Sequence, residues 1–146
     1  MRNPQDDEQR SREGPRARHP NAAIARRFWE AASRGDGDGL RELMAPDVVW
    51  RAYGAGALTG EFRGCEAVIA RLAGAGDIVD GLRSTLLDVY AGDRGAVLHY
   101  GVEAQRGSQQ IEMERLLVCR ILAGRIVQAL SVVIGADDDT LPPRGH

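Results

Sequence analysis

Residues 31–69 read AASRGDGDGLRELMAPDVVWRAYGAGALTGEFRGCEAVI, and the glycines, prolines and acidic residues of this stretch decide the fold. Glycine and proline end helices, whereas an acidic residue just before a helical run caps its first turn. The stretch therefore predicts, in order, a helix that ends at Gly35, a short helix that ends before Pro46, a strand over Val48–Tyr53, and a third helix that begins at Cys65.

The flanking sequence contains the start of the first helix, and it adds an antiparallel meander after the stretch. Asn21 is the predicted cap of the first helix, and a short extra strand is expected near Leu58. The four predicted strands of the meander are Leu82–Tyr90, Gly95–Gln105, Gln109–Leu122 and Arg125–Ile134. Helices followed by antiparallel strands are typical of an α+β fold that has its helices on one face of a curved sheet.

The two ends of the chain are predicted to lie outside this domain. Residues 1–19 are polar and charged and have no periodicity, so we expect a disordered leader. Residues 137–146 have the composition of a loose tail. A length of 146 residues fits one domain, which we place at 20–136.

Composition argues against several classes of protein. The formal net charge is −2 and both signs are scattered, which disfavours a nucleic-acid partner. No apolar run has the length of a membrane span, and the leader lacks the apolar core of a secretory signal. The two cysteines, Cys65 and Cys119, make no disulfide framework, so we expect a cytoplasmic protein.

The side-chain inventory also excludes some chemistry. All nineteen basic residues are arginine, which rules out a Schiff base on lysine. The histidines, His19, His99 and His146, have no metal-ligand spacing, and no glycine-rich phosphate motif follows a strand. We therefore expect neither a metal nor an organic cofactor.

Four segments resemble, in order and spacing, the SnoaL-like and ketosteroid-isomerase-like proteins of the nuclear transport factor 2-like (NTF2-like) superfamily. They are Glu30–Asp36, Met44–Trp50, Thr59–Gly64 and Cys119–Val127, within a match that extends from residue 21 to residue 135. The resemblance implies a cone-shaped α+β barrel, in which about three N-terminal helices pack on a curved, mostly antiparallel sheet. It also implies an internal cavity, where such proteins carry out very different reactions.

The polar residues that relatives use in this cavity are largely replaced here. Phe28, Ala52 and Leu117 match the donor tyrosine, the base aspartate and the protonated acid of ketosteroid isomerases. Arg115 matches the arginine of limonene-type epoxide hydrolases, but Leu117 replaces one of their aspartates. Ala129 or Ser131 stands where the resemblance places the other aspartate.

Arg115 is the strongest candidate for chemistry. Because side chains alternate along a strand, Arg115 lies on the same face as Met113 and Leu117. A buried arginine is costly unless it is paired or solvated, so an inward Arg115 indicates an anionic ligand group or a carboxylate partner. The alternatives are a register that turns Arg115 outward, or a structural ion pair with Glu103 or Glu114.

Aromatic residues on the first strand and the neighbouring helix are candidates to line the cavity. Trp50 and Ala52 share one face of the strand, and Tyr53 at its end is a candidate hydrogen-bond donor to a substrate oxygen. The alternative is that Trp50, Tyr53 and Phe28 only fill the core or the mouth of the cone.

His99 and Tyr100 are neighbours on one strand, so only one of them faces the cavity. We expect Tyr100 to face inward. A register shifted by one residue would make His99 a general base, and a structural or interface role for His99 is the alternative. Asp88 alternates onto one face of its strand with Leu86 and Tyr90, and it is a candidate acid or base if that face lines the cavity. An aspartate on the solvent face of a strand is the commoner case. Ser131 is expected inside as a hydrogen-bonding residue.

Together these residues predict a cofactor-free acid–base enzyme of the SnoaL-like group. Its expected reaction is cyclisation, isomerisation or epoxide opening on a small, largely apolar, oxygenated substrate. The alternative is a non-catalytic ligand-binding or dimeric interaction module that has lost the family's carboxylates. The candidate catalytic residues are Arg115, Tyr53, Asp88 and His99, and the candidate ligand-binding residues are Phe28, Trp50, Ala52, Tyr100, Met113, Leu117 and Ser131.

The outer face of the last two strands is unusually apolar. Leu116, Val118, Leu130 and Val132 occupy positions where charges would be expected on a solvated sheet. Because proteins of the family that this chain resembles dimerise through the same sheet, we expect a homodimer here.

Overall fold

Three helices and a six-stranded sheet form the fold in the computed structural model, which describes residues 19–53, 59–78 and 80–134, with the backbone alone at 74–78, 80–82 and 106. The helices are α1 (Pro20–Arg34), α2 (Gly37–Leu43) and α3 (Cys65–Ile78). The strands are β1 (Met44–Ala52), β2 (Gly60–Arg63), β3 (Asp80–Gly92), β4 (Gly95–Arg106), β5 (Gln109–Leu122) and β6 (Arg125–Val133). The predicted tail, and the predicted leader except for His19, lie outside the described residues.

Helix α1 begins one residue before its predicted cap. His19 is the N-cap, because its Nδ1 accepts the backbone N–H of Asn21 at 3.1 Å, and Pro20 fills the first turn. Asn21 instead donates its side-chain N–H to the Gly92 carbonyl at 2.8 Å, which ties α1 to the end of β3. Gly35 ends the helix in a left-handed conformation with φ of 67°, as the sequence predicts.

Helix α3 is longer than its sequence suggests. The glycines at positions 74 and 76 predict an end near Leu72, but the helix continues to Ile78. A glycine costs a helix only about 1 kcal/mol relative to alanine, so contacts elsewhere in the fold can maintain the helix through it. Among the described helices, none is long and apolar enough to cross a membrane.

The sheet is open and mostly antiparallel. Its strand order is β2-β1-β6-β5-β4-β3, and only β1 and β6 run parallel. Within the described residues the two edge strands do not pair, so the expected closed barrel is replaced by an open curved sheet. The strand expected near Leu58 is found at Gly60–Arg63, while Leu58 itself lies outside the described residues.

The helices cover one face of the sheet and form the core with it. The side chains of Phe28 on α1, Leu98 on β4 and Ile126 on β6 are almost wholly buried there. The predicted inward set of β5 is confirmed, because its buried positions alternate with exposed ones along the strand. This alternation places Arg115 on the same face as the core residues Leu117 and Cys119.

Two bulges change which side chains face the core. In β3, Leu86 pairs with Tyr100, but Asp88 pairs with His99, so Leu87 is the extra residue. In the pairing of β5 with β6, the register shifts by one residue after the hairpin turn, and Val127 is the extra residue. Each bulge reverses the alternation of the residues beyond it.

Gly95 should be a stability-critical position. A Cβ atom added at Gly95 would lie 1.9 Å from the Cys119 carbonyl oxygen, because β4 and β5 approach closely there. We expect Gly95→Ala to reduce the free energy of unfolding by about 1–3 kcal/mol, measured by urea denaturation. Gly92→Ala is the matched control, since its Cβ would meet nothing within 4 Å. Equal urea midpoints for the two variants would contradict the close approach.

The Cys119 thiol should make the protein sensitive to alkali. Burial raises the pKa of Cys119 from 9.0 to about 12, because the charged thiolate would lack the water that stabilises it. Above pH 9.0 the unfolded chain releases this proton while the folded chain keeps it, so stability falls as the pH rises toward about 12. Cys119→Ala should show a shallower alkaline loss of the free energy of unfolding in urea titrations across this range. The same slope in both proteins would contradict the prediction.

Candidate functional site

A cavity of about 260 Å³ lies between α1, α3 and the inner face of the sheet. All the helices and strands except α2 contribute to its lining. The apolar lining consists of Phe28, Trp29, Ala32, Trp50, Ala52, Phe62, Leu72, Val102 and Leu117. The polar lining consists of Ser33, Arg71, Ser84, Tyr100, Arg115 and Ser131.

Helical and strand periodicity bring the aromatic residues to this cavity. Phe28 and Ala32 are one helical turn apart on α1, while Trp50 and Ala52 alternate onto the same face of β1. The rings of Phe28 and Trp50 have centroids 5.9 Å apart and are tilted. Trp29 lies against Tyr100 with a centroid distance of 5.2 Å, so α1 and the sheet hold an aromatic wall between them.

Arg115 lies in the cavity with only 4% of its surface exposed. Its Nε donates to Ser131 Oγ at 3.0 Å, and Nη2 donates to the Tyr53 carbonyl oxygen at 3.1 Å. Its Nη1 is 3.8 Å from the Met113 sulfur, which is a weak acceptor. All three partners are neutral. Among the described residues, no carboxylate lies within the 4.0 Å limit of an ion pair with Arg115.

Tyr100 and Ser131 continue this hydrogen-bonded group. Strand pairing places Tyr100 on β4 directly opposite Arg115 on β5, and the Tyr100 hydroxyl is 3.1 Å from Ser131 Oγ. Ser131 Oγ accepts from Arg115, and one hydroxyl hydrogen joins the tyrosine and serine oxygens. Two hydroxyls carry two hydrogens, so the second hydrogen is available to a ligand whichever of the two residues donates.

The described lining of the cavity is rich in donors and poor in acids. It contains two arginines, Arg71 and Arg115, and three serines and a tyrosine, but no aspartate, glutamate or histidine. Arg71 on α3 lies over the ring of Phe62, 5.4 Å from its centroid. The described cavity therefore presents positive charge and hydrogen-bond donors to whatever enters it.

Most of the predicted ligand-binding residues line this cavity: Phe28, Trp50, Ala52, Tyr100, Leu117 and Ser131. Met113 is absent from the described lining, because it packs against Ala104 and Ile111. Its sulfur contacts Nη1 of Arg115, which does line the cavity. The three positions matched to ketosteroid isomerases, Phe28, Ala52 and Leu117, all face the cavity, so the apolar replacements lie where relatives have polar groups.

Tyr53 contributes its backbone where we expected its side chain. Tyr53 is 51% exposed and lies outside the described lining. The backbone N–H of Tyr53 donates to the Ser131 carbonyl at 2.9 Å, and its own carbonyl accepts from Arg115. Tyr53 therefore positions the arginine, and it does so through an atom that every residue type carries.

His99 and Asp88 face away from the cavity. His99 Nε2 is 2.9 Å from Glu114 Oε1 on the outer face, as expected when Tyr100 faces inward. Asp88 pairs with His99, and its carboxylate accepts the backbone N–H of Val89 at 2.8 Å. Simple alternation would keep Asp88 on the side of Leu86, but the bulge at Leu87 turns it outward.

Sequence reasoning missed several lining residues: Trp29, Ala32, Ser33, Phe62, Arg71, Leu72, Ser84 and Val102. Those on α1 are one or four residues from Phe28 or Trp29, so helical spacing gave a usable signal. Arg71 gave none, because an arginine on a helix next to an apolar stripe usually reaches solvent.

A family model and several known proteins match most of this chain. A family model described as a SnoaL-like domain matches residues 25–129. The uncharacterized protein Rv0034 of Mycobacterium tuberculosis is 33% identical over 107 residues, which cover 72% of this chain and 82% of that protein.

Solved structures show the same fold. Bal32a, from a soil-derived mobile gene cassette, has a TM-score of 0.72 at 25% identity and matches 80% of this chain and 90% of its own. IdmH, a proposed polyketide cyclase from Streptomyces antibioticus, has a TM-score of 0.66 at 20% identity and matches 84% of this chain and 95% of its own. The chain therefore belongs to the SnoaL-like family.

Proposed function

We propose that this protein is a cofactor-free enzyme that cyclises or isomerises a small, largely apolar, oxygenated molecule. The observation that carries the proposal is the buried guanidinium of Arg115, which faces an aromatic cavity and has only neutral partners among the described residues. A charge held in such a place costs stability, and a use in binding or catalysis accounts for its retention.

The size and walls of the cavity define the substrate class. An apolar cavity of about 150 Å³ holds benzene, so a cavity of about 260 Å³ suits a molecule with one or two rings. Phe28, Trp50 and Trp29 offer flat apolar surface for such rings. The connected polar group of Arg115, Ser131 and Tyr100 lies on the sheet side, where it would contact one oxygenated edge of the molecule.

The chemistry would consist of stabilising negative charge on a substrate oxygen. Cyclisation and isomerisation of carbonyl compounds pass through enolate-like states, whose oxygen gains charge in the transition state. The proton released from carbon would pass to water, because the described lining has no aspartate, glutamate or histidine. Arg115 and the spare hydroxyl hydrogen of Tyr100 and Ser131 are fixed donors in a site lined mainly by apolar side chains, where such donors are more effective than in water. Epoxide opening receives less support, because the described lining has no carboxylate to activate water.

Similarity to a proposed polyketide cyclase agrees with this reaction class, since IdmH shares the fold. The alternative is a non-catalytic binding protein, and the lack of Asp, Glu and His in the described lining favours it. In that case Arg115 would hold a ligand without changing it. A cytoplasmic location is also proposed, and it is supported by the two free cysteines, Cys65 and Cys119.

Arg115→Gln should abolish enolisation of a probe ketone. We expect the wild-type protein to accelerate hydrogen–deuterium exchange at the acidic carbon of 2-tetralone, followed by NMR in D₂O. Loss of one charged donor should slow this exchange by on the order of 10²-fold or more. Tyr100→Phe should slow it less, because Ser131 keeps its hydroxyl.

Arg63→Gln is the control, since Arg63 is exposed and pairs with Glu61 away from the cavity. Its exchange rate should equal that of the wild type. Binding of 2-tetralone by the wild type without faster exchange would refute the enzyme and leave the binding protein.

We also propose that two copies of the chain associate through the outer face of the sheet. Leu116 pairs with Val132, and Val118 pairs with Leu130, which gives an apolar patch across β5 and β6. Val118 is 39% exposed in the single chain. Along β5 the same face carries Glu112 and Glu114 on one side of the patch and Arg120 on the other. A two-fold axis at the patch would set the acidic end of one copy against the arginine of the other.

Val118→Glu should convert the dimer into a monomer, because it would bury a carboxylate in an apolar contact. Size-exclusion chromatography with light scattering would measure the change in mass. Ala23→Glu, an exposed position on α1 at the opposite face of the sheet, is the control and should stay dimeric. A wild-type protein that is monomeric at high concentration would sink this proposal.

A further inference from the structure

We infer that the cavity selects its ligand in anionic form, namely a small aromatic or apolar acid whose carboxylate or ionised enol binds Arg115. This inference rests on the proposed small-molecule site and deepens it. The proposed reaction needs charge only in the transition state, whereas here the ligand carries a full negative charge when it binds.

The first step is the charge of Arg115 itself. The guanidinium stays charged in proteins, and the residue is 4% exposed. A buried charge needs an opposite charge or full solvation, and neutral partners compensate it only in part. Its partners among the described residues are the Ser131 hydroxyl, the Tyr53 carbonyl and the Met113 sulfur. An anion in the cavity would supply the missing charge.

The second step is the number of donors. A guanidinium has five N–H groups. In Arg115 these contacts use the Nε hydrogen, one hydrogen on Nη2 and, weakly, one on Nη1. One N–H on each terminal nitrogen is left without an acceptor among the described residues. An anion in the cavity would accept from these N–H groups, and a carboxylate offers two oxygens with which to do so.

The third step is the surroundings of that fork. The spare hydroxyl hydrogen of Tyr100 or Ser131 adds a further donor beside it. Arg71 brings a second cation to the cavity, and the described lining has no carboxylate that would repel an anion. Aromatic rings of Phe28, Trp29 and Trp50 form much of the remaining lining, so the ligand that fits has one acidic edge and an apolar body.

The test compares two molecules of one shape that differ in charge. Isothermal titration calorimetry on the full chain would measure the affinities of 2-naphthoate and 2-naphthamide, whose bicyclic body suits the cavity. We expect naphthoate to bind roughly ten- to a hundredfold more tightly, which is the usual strength of one charged hydrogen-bonded contact. Added salt should weaken naphthoate more than naphthamide.

Arg115→Gln should remove the preference by weakening naphthoate alone. Arg63→Gln, an exposed arginine outside the cavity, should keep it. Arg71→Gln separates the two cavity arginines, and a preference that is lost there but kept in Arg115→Gln would overturn Arg115 as the anchor. If Arg115→Gln does not fold, the comparison of the two ligands on the wild-type protein still decides.

The outcomes separate this inference from the proposed function. Equal affinity of the wild type for both molecules would overturn anion selection and leave the neutral small-molecule site standing. Failure of both molecules to bind would overturn the inference and the proposed site together. Tighter binding of naphthoate that is lost only in Arg115→Gln would support both.

Discussion

The guanidinium of Arg115 connects three strands at the floor of the cavity, and the site depends on this connection. The side chain starts on β5, donates to Ser131 on β6, and donates to the carbonyl of Tyr53 at the end of β1. Strands β1 and β6 are the parallel pair of the sheet, so the arginine spans the point where chain direction changes. The contact therefore positions the charge and joins the two halves of the fold, and removing it would affect both.

The cavity has few polar residues in its described lining. Aromatic and aliphatic side chains cover most of its wall, while Arg115, Ser131 and Tyr100 form one connected hydrogen-bonded group. Burial of polar groups without hydrogen-bond partners is costly. A compact group whose members bond to one another, with a few donors left for a ligand, is therefore a stable way to build a binding site. The apolar residues at the positions matched to family acids, Ala52 and Leu117, avoid placing a carboxylate beside the arginine. The described lining of the cavity contains no acid.

Sequence patterns predicted the elements better than the orientation of particular side chains. Strand β5 has the predicted bounds, and its alternation placed Arg115 inside, because both faces of that strand keep a period of two. Asp88 was misplaced, since a bulge at Leu87 leaves no signature in the local sequence. Tyr53 was assigned a role for its phenol, but its carbonyl makes the contact, and backbone roles carry no residue signature. Arg71 was missed because only the packing of α3 over Phe62 brings it to the cavity.

The sequence by itself determined the helices and strands, the family and the inward face of β5, because periodicity and turn residues are local signals. It also determined what the site lacks, since a chain without lysine and with few histidines excludes whole classes of chemistry. Only the tertiary structure decided that Arg115, Ser131 and Tyr100 meet. Ser131 is separated from Arg115 by 16 positions and from Tyr100 by 31 positions along the chain, and the one-residue bulge at Val127 sets which face of β6 carries Ser131. Register is a cooperative property of paired strands, so the partner of a buried charge becomes known only when all the strands are in place.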